Sequence, residues 1–248
     1  MPVFTPTISQ QNTGISGGVL IYPQVIRLYS GCIVGDSFNR EDITPTGAYT
    51  LYGTGGTGTP IFAIDSGRSL KLTTTTVSGD SASVRTSEFT FQRKSQFIDT
   101  RSSLSFDSIF FLGQSTLTKG FVGILQTIGA TTTLPTTTLG AGVYWDTTAG
   151  NNFMLTSADG STQTTTDTGE PISSHVGEGN TIRVNVTLTS PTSGIVSLYS
   201  NANTYSTLLK SQTISANING TFQVNFFVST DTTALRSIDV AEWWITTS

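Results

Sequence analysis

The chain has 248 residues, 36% of them hydrophobic, with 14 Phe, 7 Tyr and 3 Trp; that is enough apolar mass for a sizeable core and excludes a globally disordered chain. Only 11% are charged, the net charge is −4, and Lys and Arg form no cluster, which argues against a nucleic-acid footprint. No apolar run approaches the ~18 residues of a membrane helix, and one Cys (Cys32) with one His (His175) excludes an intrachain disulfide framework and argues against a structural zinc site.

The N-terminus, Met1-Pro2-Val3-Phe4-Thr5-Pro6, has no basic segment, and the first cation is Arg27. No apolar stretch of signal-peptide length precedes it. A surface-type composition rich in Thr, Ser, Gly and Asn, without a secretion signal, leads to the expectation of a protein made in a host cytoplasm and displayed on a virion surface. Residues 1–34 carry short apolar groups (Val19–Tyr22, Val25–Tyr29) between Pro and Gly. They are expected to form an extended N-terminal arm ahead of a domain at 35–248. Such an arm lies either along its own domain or along a neighbour, and Tyr22, Ile26 and Tyr29 are its candidate assembly contacts.

The middle of the chain offers strand candidates at Ser69–Leu72, Ala82–Thr86, Glu88–Phe91, Leu104–Leu112, Phe121–Leu125, Val143–Trp145 and Phe153–Leu155, separated by Gly, Asn, Asp and Thr clusters. The Thr tracts at 73–76, 131–138 and 162–168 resemble low complexity, although β-branched Thr also suits strand edges. In the C-terminal third, Ile182, Val184, Val186 and Leu188 alternate with polar residues, predicting a strand with one buried face. Ser190–Gly194 turns the chain into Ile195–Tyr199, and Phe222, Val224, Phe226 and Val228 repeat the pattern. Strict alternation over Ile238–Ile245 puts Ile238, Val240 and Trp244 on one side and Ala241, Trp243 and Ile245 on the other. A strand apolar on both faces must be covered on both, which makes Trp243 a further assembly candidate. No segment sustains helical apolar spacing.

From Asp36 onward the order of segments resembles the concanavalin A-like (lectin/glucanase, laminin-G-type) jelly roll. Asp36-Ser-Phe-Asn-Arg40 with Thr46-Gly-Ala-Tyr-Thr50 is similar to the opening of such domains, and Gly120-Phe-Val-Gly-Ile124 to their central strand. Thr181–Leu188 with Ile195–Tyr199 resembles their paired strands, although Ser200-Asn-Ala-Asn203 stands where an Asp-Gly hairpin is usual. Ile238–Ile245 matches the closing strand. The resemblance implies an all-β antiparallel sandwich, of a kind that recurs in phage and viral decoration, fibre and tail proteins, in glycan-binding modules and in glycanases.

Glycanases of this fold resemble one another in a Glu-x-Asp-x-x-Glu strand, which is missing here. Asp239 and Glu242, at i and i+3, are expected on opposite strand faces; Glu41-Asp42 fail likewise, and nothing singles out Asp99 or Asp107. His175, in Ser173-Ser174-His175, is expected in an exposed loop without a Gly-x-Ser-x-Gly elbow. Gly53–Gly58 lacks the Lys and helix of a phosphate cradle. The sequons at Asn185 and Asn219 carry no weight without secretion. Sugar recognition needs an aromatic plate beside amide or carboxylate groups. Tyr144, Trp145, Asn151 and Asn152 supply both, unless Trp145 is core and Asn151-Asn152 a turn. Tyr199, Asn201, Asn203 and Tyr205 form a second set.

The expectation drawn together is a non-enzymatic viral structural protein, a capsid decoration or fibre component, with a carbohydrate-binding module as the alternative and a diverged glycan hydrolase third. Its expected partners are a capsid or tail shell protein, further copies of itself as a homo-oligomer, and glycans; no nucleic acid, membrane insertion, cofactor or metal is expected.

Overall fold

The computed structural model describes residues 32–36, 49–54, 61–65, 69–86, 89–91, 104–126, 137–190, 193–200, 207–214 and 220–247. Tyr22, Ile26 and Tyr29 lie outside these residues, as do Asn201, Asn203, Tyr205 and Asn219. Strands β1 to β6 are Cys32–Asp36, Tyr49–Thr54, Ile61–Asp65, Ser69–Thr73, Ser81–Thr86 and Phe89–Phe91. The long central strands β7 (Leu104–Leu112), β8 (Thr118–Gln126), β9 (Gly140–Asp146), β10 (Asn152–Ala158) and β11 (Gln163–Pro171) follow. A 3-10 turn at Ile172–His175 leads to β12 (Ile182–Ser190), β13 (Ser193–Ser200), β14 (Thr207–Ile214), β15 (Gly220–Thr230) and β16 (Ser237–Thr247).

The strands pair antiparallel into two eight-stranded sheets. The first runs β14-β13-β12-β7-β16-β4-β3, with β1 also on β16; the second runs β11-β10-β9-β8-β15-β5-β2, with β6 also on β15. The position expected to divide arm from domain falls within β1, whose Cys32, Val34, Gly35 and Asp36 pair with β16. Leu70, Leu72, Phe106, Phe110 and Leu112 of the first sheet meet Val122, Val143, Trp145, Phe153 and Phe226 of the second in one buried cluster. Period-2 alternation supplies each inner face, and burial of these side chains contributes about 1.5–3 kcal/mol apiece.

The closing strand departs from simple alternation. A bulge shifts the register between Val240, which faces Phe110, and Glu242, which faces Ile109. The extra residue reverses the phase, so Trp243 and Ile245 join Ile238 and Val240 in the core. Trp243 is therefore a core residue, 2% exposed, and presents no indole to a partner. The same bulge brings Asp239 and Glu242 onto one outer face, correcting their expected opposition, because their partners Phe111 and Ile109 share that face. Asp239 there lies 3.9 Å from the Lys71 ammonium.

On the outer face of the first sheet, Arg183 donates from Nε and Nη2 to Asp107 Oδ1 at 2.8 and 2.6 Å. Its guanidinium lies 5.4 Å from the Tyr199 ring centroid and 5.5 Å from that of Trp244. The Asn185 amide donates to Asp107 and Ser105 and its carbonyl accepts from Thr187, so this sequon is consumed by the strand's own hydrogen bonds.

Candidate functional site

Trp145 points inward from β9. Its indole is fully buried, stacked on Phe110 (centroids 5.9 Å, 17°) and edge-on to Phe153 (5.8 Å, 75°). Gly120 opposite leaves the space: a Cβ there would overlap the indole. A sugar platform must face solvent, so Trp145 is corrected from candidate plate to core. Asn151 occupies the exposed β9–β10 turn, and its carbonyl accepts from the Ile172 amide at 2.8 Å.

Tyr144, one residue earlier, faces outward by the same alternation. It is half-buried and packs against a second apolar cluster, Phe121, Leu125 and Phe227, on the outer face of the second sheet. Its phenol hydrogen-bonds Thr165. Thr165 belongs to β11, two strands from β9 across β10, a span of about 9–10 Å at the usual strand spacing. Tyr144 therefore leans over β10 toward β11 on this outer face. Burial pushes the phenol pKa up, the Thr165 hydrogen bond acts in the opposite sense, and the Asp146 charge adds to the rise.

Beside that ring stands a carboxylate–amide pair. Met154 pairs with both Tyr144 and Asp167, which puts the three residues in one cross-strand row of the outer face. Asn152 Nδ2 donates to Asp167 Oδ1 at 3.0 Å and Oδ2 at 3.2 Å, and the Gly169 amide donates to Oδ1 at 2.8 Å. This geometry depends on a local irregularity. The β10–β11 register shifts between Asn152 and Met154, and Gly169 takes a left-handed φ of +71° that a side chain would strain. Asp167 and Thr165 are exposed, and Asn152 is half-buried.

The next outward-facing row along β9 is electrostatically fixed. Lys119 lies 3.5 Å from Asp146 and 3.2 Å from Asp231. Burial alone lowers the lysine pKa, but the hydrogen bonds and charges of both carboxylates outweigh it and raise it. Burial pushes Asp146 up; hydrogen bonds from Thr148 and the Lys119 ammonium outweigh that and hold its carboxyl below the usual range.

His175 is buried, not exposed as its loop setting suggested. Its Nε2 is 2.9 Å from Glu170 Oε1 and its Nδ1 is 3.0 Å from the Asn180 carbonyl, with Phe153 edge-on at 5.7 Å. It ties the end of β11 to the following loop. Among the described residues, no three His, Cys, Asp or Glu side chains group as metal ligands.

Of the four sugar-site candidates, the structure thus brings Tyr144 and Asn152 to one outer face. It adds Asp167, Thr165 and Met154, which sequence reasoning missed. Met154 lay within the strand candidate Phe153–Leu155, while the signal for Thr165 and Asp167 was available only as period 2 within a Thr-rich tract.

No family model matches the chain, and no curated protein matches it. Solved structures do. Lectin II from Ulex europaeus aligns with a TM-score of 0.57 at 14% identity, covering 88% of this chain and 99% of the lectin. The CBM2 module of the evolved Dit of Lactobacillus casei BL23 phage J-1 aligns at 0.56 and 14%, covering 87% and 94%. Peanut lectin aligns at 0.56 and 12%, covering 87% and 97%. At these identities the similarity establishes the fold, and that fold is the concanavalin A-like jelly-roll sandwich.

Proposed function

We propose that the chain is a non-catalytic glycan-binding domain whose site is the outer face of β9–β11 around Tyr144. The observation that carries this reading is half-buried Tyr144, its phenol bonded to Thr165, on the same outer face as exposed Asp167 and its half-buried partner Asn152. A flat aromatic face covers the apolar side of a pyranose, and the carboxylate and amide take its hydroxyls. The shared fold supports the reading: a lectin complexed with galactose and a carbohydrate recognition domain align over most of their length. On the opposite sheet, Asp107 is occupied by Arg183 and Asp239 by Lys71, which supports binding over hydrolysis. Affinity electrophoresis in neutral polysaccharide gels tests the proposal. Retardation of the native protein that is lost in Tyr144→Ala is expected; migration unaffected by every polysaccharide would refute it. Incubation with the same polysaccharides should release no reducing ends.

The similarity to a phage module favours a second, compatible reading: display on a virion surface, with shell protein or further copies as partners. Mass spectrometry of purified particles tests it, and absence of the chain from them would overturn it.

A further inference from the structure

We infer that the Tyr144 site selects uncharged, hydroxyl-rich glycans and rejects polyanionic ones such as sulfated or uronate-containing chains; this rests on the glycan-binding reading above. Two features carry it.

The first is the hydrogen-bonding state of Asp167. A carboxylate is acceptor-only, with about four lone-pair sites. Oδ1 receives both the Asn152 amide and the Gly169 N–H, while Oδ2 receives only Asn152. The remaining capacity of Oδ2, on an exposed side chain, fits a donor. A sugar hydroxyl satisfies it; a sulfate or carboxylate brings a second anion to the same place.

The second is the surrounding charge. Residues 137–181 contain Asp146, Asp159, Asp167, Glu170 and Glu178 and no Lys or Arg. The Lys119 ammonium on β8 is shared between Asp146 and Asp231, leaving that group net negative. Glu170 is taken by His175, and Asp167 has no cationic partner among the described residues. Tyr144 feels this field, since the Asp146 charge disfavours its phenolate. Anionic saccharides commonly need Arg or Lys against their acidic groups, and the described parts of β8–β11 supply only Lys119, which two carboxylates already share.

The test pairs each neutral polysaccharide with its own charged derivative: dextran with dextran sulfate, and galactan and mannan with their carboxymethylated forms. The full chain is titrated with each at low and moderate salt. Neutral forms should bind at least about tenfold more tightly, with a gap that narrows as salt screens the field. Asp167→Asn should weaken neutral binding about five- to tenfold by losing a charge-assisted acceptor, and should shrink the gap. Equal or tighter binding of the charged derivatives overturns the inference while leaving glycan recognition standing. Failure of every neutral and charged chain to bind overturns the glycan reading itself, and this inference with it.

Discussion

Trp145→Ala is the substitution that most sharply separates core from surface on β9. The indole is fully buried over Gly120, stacked on Phe110 and edge-on to Phe153. Truncating a buried Trp to Ala generally costs about 3–5 kcal/mol, part of it from the two ring pairs at about 0.5–1.5 kcal/mol each. One term runs the other way. The indole Nε1 is buried with no hydrogen-bond partner among the described residues, so its removal relieves about 1 kcal/mol or more of desolvation. The net loss should be near 3 kcal/mol, a large part of the ~5–15 kcal/mol expected of a domain. Trp145→Phe, which keeps an aromatic ring and discards the orphaned N–H, should cost under about 1.5 kcal/mol. Urea denaturation followed by circular dichroism reads both variants. A loss below about 1 kcal/mol for Trp145→Ala would refute the placement of this ring in the core.

Gly120→Ala should destabilise by about 1–3 kcal/mol in the same assay, because its methyl enters the Trp145 indole. Asp107→Asn should cost about 2 kcal/mol by leaving the Arg183 guanidinium, fixed between Tyr199 and Trp244, without its counter-charge. Leu117, a non-glycine at φ 49°, should gain about 1 kcal/mol on replacement by Gly, read as a raised Tm. The lowered pKa of Asp146 means that its contribution is complete above the unfolded carboxyl value near 4 and fades as pH falls through the folded value. Lys119→Met should therefore flatten the acid limb of a stability–pH profile, by under about 1 kcal/mol since both groups keep some contact with solvent.

Much of the sandwich is legible because period 2 survives wherever one face is buried: Ile182–Leu188 and Phe222–Val228 lie on the inner faces as their alternation requires. Legibility fails where a strand breaks its own period. The bulge at Ala241 exchanges Trp243 and Trp244 between faces and unites Asp239 with Glu242, and nothing in Ile238–Ile245 alone announces it. β11 is hidden for a different reason: an edge strand of Thr, Asp and Gly has little apolar contrast, so its nine residues read as a polar tract. That concealment also hides Asp167, whose place beside Tyr144 is set by cross-strand register. Tyr144 itself is visible as an aromatic beside an amide-rich turn. Which of Tyr144 and Trp145 faces outward is decided by Gly120, a neighbour in space across the sheet.

Glycan recognition at Tyr144 is tested most directly by the dissociation constants of native protein and Tyr144→Ala for one retarding oligosaccharide, measured by titration calorimetry with Tm recorded for both. A rise of at least tenfold, about 1.4 kcal/mol, is expected in a variant still folded at the assay temperature. Undiminished affinity in folded Tyr144→Ala would contradict it and move recognition away from this face.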